Sequence, residues 1–309
     1  MKKKIVFSVF FVLSSFLFCI YSEVNTYKFA QKGSQELYMD VYSPKQMQPK
    51  NKCMIYVFGG GFAHGERNNK HDSAFCQAMA DRGFVSIAID YRLGLKNAKN
   101  VSATDTKPLE QAISYAVEDL FSATQYVIEN ADKLGVDTSL IMIAGSSAGA
   151  VTVLQADYQL SNRTSLASTL PPSFRYAAVV SFSGAVFSVE GKPTYKRHPD
   201  PTLFFHGTKD GVVPYNQIRV FKKGLFGSSA LAKLFLKNGY NFQIFRFENY
   251  GHEIAVLPMI GNLDDINTFF ERFALEQLDL QIDISFKNKD VTEPAFKRTL
   301  QDIYTNKSK

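Results

Sequence analysis

Residues 145–149 read Gly145-Ser146-Ser147-Ala148-Gly149 and directly follow the apolar run Leu140–Ala144 (LIMIA). A serine held on a sharp strand-to-helix turn needs very small neighbours, because a larger side chain would strike the strand or helix beside it. Gly145 and Gly149 meet that need. Such a turn lifts the Ser147 hydroxyl clear of its strand and aims the N-terminus of the next helix at it, where backbone N–H groups favour a developing negative charge. A hydroxyl is a weak nucleophile at neutral pH. Ser147 therefore needs a base, and the base needs a carboxylate to orient it. The chemistry of such a set is acyl transfer through a covalent intermediate.

Two loops can supply the partners. His252 lies in Asn249-Tyr250-Gly251-His252-Glu253, after the last apolar run, and Asp210 lies in His206-Gly207-Thr208-Lys209-Asp210-Gly211, after the preceding one. Of the remaining histidines, His206 closes a run and reads as structural, while His71 and His198 read as solvated side chains. His64 stands close to a glycine triplet, Phe58-Gly59-Gly60-Gly61-Phe62, at the end of another apolar run. Three adjacent glycines lose much backbone entropy on folding, so they mark a close approach of backbone to something. The expected oxyanion hole is the N–H groups of Gly60 and Gly61 joined by that of Ala148. Phe62, His64, Tyr91 and Tyr250 are candidate pocket residues, with Tyr91-Arg92 read chiefly as a brace beneath the pocket floor.

The elements that must position these residues follow from the apolar pattern. Thr26–Ala30, Glu36–Tyr42, Cys53–Phe58, Phe84–Ile89, Leu140–Ala144, Tyr176–Phe182, Thr202–His206 and Phe242–Phe247 read as strands, most of them apolar throughout, as strands buried on both faces are. Between them, Ser73–Arg82, Leu109–Asn130, Ser228–Lys237 and Leu263–Leu275 read as helices. Alternating strands and helices predict a mostly parallel, doubly wound α/β sheet flanked by helices, with the site beyond the carboxyl ends of the strands. The short connection from Ser183 to Pro201 leaves no room for a large cap domain. From about residue 278 a C-terminal extension shows no clear period.

These motifs together resemble the α/β-hydrolase carboxylesterase and lipase group, particularly its hormone-sensitive-lipase-like and short carbohydrate-esterase branches. The resemblance rests on LYMDVYSP (37–44), YVFGGGFAHGE (56–66), IDYRL (89–93), AVEDL (116–120), GVDTSLIMIAGSSAGA (135–150), HGTKDGVVPY (206–215) and YGHE (250–253), in that order. It implies the α/β-hydrolase fold, with Ser147 as nucleophile, His252 as base and Asp210 as acid. The chain order Ser, Asp, His is the one this fold requires. Phe58 stands where many hormone-sensitive-lipase-like members have His, and Ser146 where many have Asp. The expected activity is hydrolysis of short, acetyl-like esters, including those of carbohydrates. Two other readings stay open, a serine peptidase of the same fold and a catalytically silent binding protein that kept the scaffold.

Composition bounds the rest. The chain has 309 residues, 45% hydrophobic and 21% charged, enough for one sizeable core. Of its net charge of +6, Lys2, Lys3 and Lys4 supply half, leaving a weakly basic remainder that does not suggest a nucleic-acid partner. Those lysines precede an apolar run, Ile5–Ile20, which reads as a secretory signal cleaved after Ser22. The expected location is therefore periplasmic or secreted, with a lipid anchor at Cys19 the lesser alternative and no membrane span in the mature chain. Cys53 and Cys76 are read as buried thiols in preference to a disulfide, and no ligand spacing calls for a metal or other cofactor. The partners expected are small-molecule or glycan esters. Nothing in the sequence sets the oligomeric state.

Overall fold

The apolar runs form the interior of one nine-stranded sheet in the computed structural model, which describes residues 24–96, 105–299 and 302. The spatial order is β1 (Val24–Lys32), β2 (Gln35–Tyr42), β4 (Val85–Ile89), β3 (Asn51–Val57), β5 (Val136–Ser146), β6 (Ala178–Phe182), β8 (Thr202–Gly207), β11 (Phe242–Phe247) and β12 (Gln281–Phe286). The pairs β1–β2 and β2–β4 are antiparallel and the other pairs are parallel. Every residue of β4, β6 and β8 is buried, so both faces of the sheet are covered, as unbroken apolar runs require.

The covering helices are α1 (Lys70–Ala80), α2 (Lys107–Glu129), a single turn α3 (Ala131–Leu134), α4 (Ala148–Asn162), α5 (Ser228–Asn238), α6 (Pro258–Gly261) and α7 (Leu263–Phe270). The Asn69 side chain caps α1 by accepting from the N–H groups of His71 and Asp72. Beyond Phe270 the expected single helix widens into a π-helical turn, Glu271–Leu275. Parallel register levels the strand ends that matter: Val57 pairs with Gly145, Ser146 with Phe182, and Gly207 with Phe247. The loops after β3, β5, β8 and β11 therefore open on the same edge of the sheet.

Sequence motifs outside those loops meet in two ion-pair clusters. Arg67 bridges Asp40 on β2 at 3.0 Å and Asp90 after β4 at 2.8 Å. Arg92 donates from its backbone and side chain to the fully buried Asp119 of α2, at 2.8–3.0 Å, and from Nη2 to Glu118 at 2.7 Å. The two clusters fasten the segment Asp90–Arg92 on either side of Tyr91.

Two features depart from the sequence-based expectation. The C-terminal extension supplies a ninth strand, β12, whose Ile282, Ile284 and Phe286 alternate with polar residues. A half-exposed edge strand keeps only that weak alternation. A separate small sheet holds β7 (Ala185–Ser188), β10 (Lys223–Gly227) and β9 (Gln217–Val220), in that order. All four residues of β9 are exposed, so no apolar pattern announces it. Cys53 and Cys76 are free and buried, and burial pushes both thiols far above their ordinary range. The signal-like segment 1–22, with Cys19, lies outside the described residues. Among those that are described, no helix is long and apolar enough to cross a membrane.

Truncating Asp119→Ala removes the buried partner of Arg92 and leaves its guanidinium paired with Glu118 at 2.7 Å, and losing one partner of a buried ion pair costs up to about 3–5 kcal/mol. Denaturant unfolding of the variant should show a loss of that size.

Candidate active site

Ser147 occupies a backbone conformation that L-residues rarely adopt, φ +52° and ψ −114°, immediately before α4. Its N–H donates to Phe182 O at 2.9 Å and its carbonyl accepts from Val151 N–H at 2.9 Å, which ties the turn to β6 and to the helix. The flanking glycines are sterically obligatory. A Cβ at Gly145 would fall 2.3 Å from Gly149 O, and one at Gly149 would fall 2.0 Å from Val57 O. The Ser146 hydroxyl donates to Ala255 O at 2.8 Å and so links the turn to the loop that carries His252.

That loop opens with His252 at the start of a short 3-10 turn, His252–Ala255. Ser147 Oγ lies 2.7 Å from His252 Nε2, and His252 Nδ1 lies 2.8 Å from Asp210 Oδ2. Residues 42 and 105 positions from His252 thus join in one hydrogen-bonded line. Asp210 is held from several sides. Its Oδ1 accepts from the N–H groups of Val212 and Val213 at 2.9 and 3.0 Å. His206, fully buried, has Nδ1 2.8 Å from Ser228 Oγ and Nε2 between Val213 O at 3.2 Å and Asp210 Oδ2 at 3.4 Å. Burial alone would raise the Asp210 pKa, but hydrogen bonds to His206 and His252 outweigh it and hold the carboxyl well below the usual carboxylate range.

The glycine triplet lies against this line. Gly60 and Gly61 both have positive φ, +117° and +62°, and Gly60 O accepts from the N–H groups of Ala63 and His64, rolling the loop into a tight turn. A Cβ at Gly60 would fall 2.1 Å from His64 O. A Cβ at Gly59 would sit 3.3 Å from Ser147 Cβ, so backbone after β3 approaches the serine as closely as glycine permits. The loop that carries the Gly60 and Gly61 N–H groups is therefore beside the turn from Ser147 into Ala148.

The four candidate pocket residues divide. Tyr91 and Phe62 are only 2% and 3% exposed and pack under the loop, Tyr91 in the brace position the sequence favoured for it and Phe62 beside it rather than on a pocket wall. Tyr91 donates its hydroxyl to Phe58 O at 3.2 Å, and its ring lies 4.4 Å from that of Phe58 and 6.3 Å from that of Phe62. They are braces, aligned by the ion pairs either side of Tyr91. His64 is exposed on the rim of the loop. Tyr250 packs against Phe247 and Phe286 at 5.8 and 6.3 Å, and with Glu253 and Leu257 it borders an open 360 Å³ groove whose other side is formed by residues 290–293 and 295 of the C-terminal extension. His71 and His198 are exposed, the latter against the Tyr240 ring at 4.9 Å. Sequence reasoning missed the bond from Ser146 to the histidine loop, and Glu253 and the extension as neighbours of the site. Glu253, directly after His252 in YGHE, was the available signal. Among the described residues no group of three or more His, Cys, Asp or Glu side chains could hold a metal ion.

Gut esterase 1 of Caenorhabditis briggsae is 29% identical over 123 residues, 40% of this chain and 21% of that protein. Esterase LipC of Mycobacterium tuberculosis is 27% identical over 225 residues, 60% of this chain and 51% of that protein. The chain thus spans between about a fifth and a half of the length of these curated relatives. The apo form of Thermogutta terrifontis esterase 2 superposes with a TM-score of 0.60 at 23% identity, covering 83% of this chain and 96% of that one, a likeness of fold. The BD-FAE family matches residues 39–198, over half of the chain, a span that includes the glycine loop and Ser147 and stops short of Asp210 and His252. With that match the chain belongs to the BD-FAE family, an α/β-hydrolase esterase family.

Proposed function

We propose that this protein is a serine carboxylic-ester hydrolase with Ser147, His252 and Asp210 as its catalytic triad. The observation that carries the reading is the unbroken line from Ser147 Oγ to His252 Nε2 and from His252 Nδ1 to Asp210, at 2.7 and 2.8 Å. In the first step His252 takes the Ser147 proton as Oγ attacks the ester carbonyl. The oxyanion is stabilised by the N–H groups of Gly60, Gly61 and Ala148. Asp210 keeps the imidazole in the tautomer that accepts at Nε2 and stabilises its cation. His252 then gives the proton to the leaving alcohol. In the second step it deprotonates water, which attacks the acyl-enzyme and returns Ser147.

Two finer points belong to the same proposal. The substrates proposed are esters of small acyl groups, acetyl above all, with the larger part of the substrate in the alcohol. A lysine-led apolar N-terminus supports export, and outside the cytoplasm acylated carbohydrates are suitable substrates.

Turnover of p-nitrophenyl esters should fall steeply from acetate to decanoate and vanish in Ser147→Ala. Full activity in that variant, or a preference for decanoate, contradicts the reading. Fluorophosphonate labelling of the parent at Ser147 separates an active hydrolase from a silent scaffold.

The depressed Asp210 pKa makes a second prediction. A carboxyl held low when folded contributes stability above the unfolded value near 4, which is lost as pH falls through the lower folded value. Above about pH 4 Asp210 therefore stays ionised, and the acid limb of kcat/KM should follow the loss of one proton, not two. Asp210→Asn should lower kcat by about 10⁴, the effect of a wrong tautomer in a serine triad. A two-proton limb in the parent would exclude this assignment.

A further inference from the structure

The C-terminal segment 287–299 is fastened to the site by the residues that flank Asp210 and His252. Lys209 Nζ donates to Thr292 O at 3.2 Å, and Asn249 Nδ2 donates to Val291 O at 3.1 Å. The Glu253 carboxylate accepts from the N–H groups of Ala295 and Phe296, each at 3.2 Å, while also accepting from Gly251 N–H at 2.9 Å. The fit is close. A Cβ at Gly251 would meet Pro294 Cβ at 2.8 Å, and one at Gly211 would meet Arg298 O at 3.2 Å.

This strap carries one aromatic ring to the base. The Phe296 ring centroid lies 5.9 Å from that of His252, yet Phe296 keeps 37% of its surface exposed. The free face of the ring stands open beside the imidazole, where a substrate group can lie against it. The chemistry of the site indicates which one. In the first step His252 must protonate the leaving oxygen, so the alcohol sits on the imidazole side of the scissile bond, whereas the acyl group is bound at Ser147.

We propose that Phe296, presented by the Glu253-anchored strap, is the platform for the alcohol moiety of the ester, selecting alcohols with a ring whose face can lie on the phenyl group. This rests on the ester-hydrolase reading of the same site. It assigns the C-terminal extension a part in specificity.

The test holds the acyl group constant and varies the alcohol, with methyl, phenyl and cyclohexyl acetates as probes, in the parent, Phe296→Ala and Phe296→Tyr. In Phe296→Ala the ratio of kcat/KM for phenyl or cyclohexyl acetate to that for methyl acetate should fall by about tenfold, the upper size of an aromatic contact. Phe296→Tyr should restore it. The deacylation rate constant should be the same in parent and Phe296→Ala, because the alcohol has left before that step. Fluorophosphonate labelling reports that the truncated variant is folded, since a fluoride leaving group offers nothing to the ring. An unchanged ratio, or a changed deacylation rate, overturns the proposal while leaving the parent reading intact. A parent protein that turns over no acetate and takes no fluorophosphonate overturns both.

Discussion

The structure turns on how closely α4 approaches β3 beneath Ser147. A Cβ at Gly149 would lie 2.0 Å from Val57 O, so the helix sits against the strand at a distance only glycine allows. That approach holds Ser147 at φ +52° and lifts its hydroxyl above the edge where β3, β5, β8 and β11 end. Strain of this kind persists only where surrounding contacts over-determine it, and here they do. The Ser147 N–H is bonded to β6, its carbonyl begins α4, and its neighbour Ser146 is bonded to the histidine loop.

From that point the electrostatics follow. A buried carboxylate is unfavourable unless hydrogen-bonded, and Asp210 has two backbone donors and two imidazoles around it. It is thereby fixed as an anion in one orientation, which in turn fixes His252. His206 looked structural from its place at a strand end. It is structural in the sense that it braces the acid, through Ser228 on α5 and the Val213 carbonyl.

Support for the glycine loop comes from further away. Asp119 on α2 holds Arg92, Arg67 joins Asp40 to Asp90, and Tyr91 between them bonds the Phe58 carbonyl under the triplet. Motifs without catalytic chemistry of their own, such as AVEDL and IDYRL, are thus parts of one scaffold for three glycines. The C-terminal strap plays the matching role on the opposite flank, where Glu253 ties it to the histidine loop.

By itself the sequence determined the nucleophile turn, the glycine loop, the acid and histidine loops and the parallel sheet. Each is written in local terms, as a small residue where backbone must pass closely, or an apolar run where a strand is covered on both faces. Tertiary structure decided what depends on contacts between distant segments. It alone brought Ser147 within 2.7 Å of a histidine 105 positions later. It turned Phe62 and Tyr91 inward, because the ion pairs around Tyr91 align that side chain beneath the loop. It also made a strand and a strap of the C-terminal extension. Half-exposed edges and backbone clasped by one carboxylate leave little hydrophobic period in the chain, so their place beside the site emerges only when the sheet is assembled.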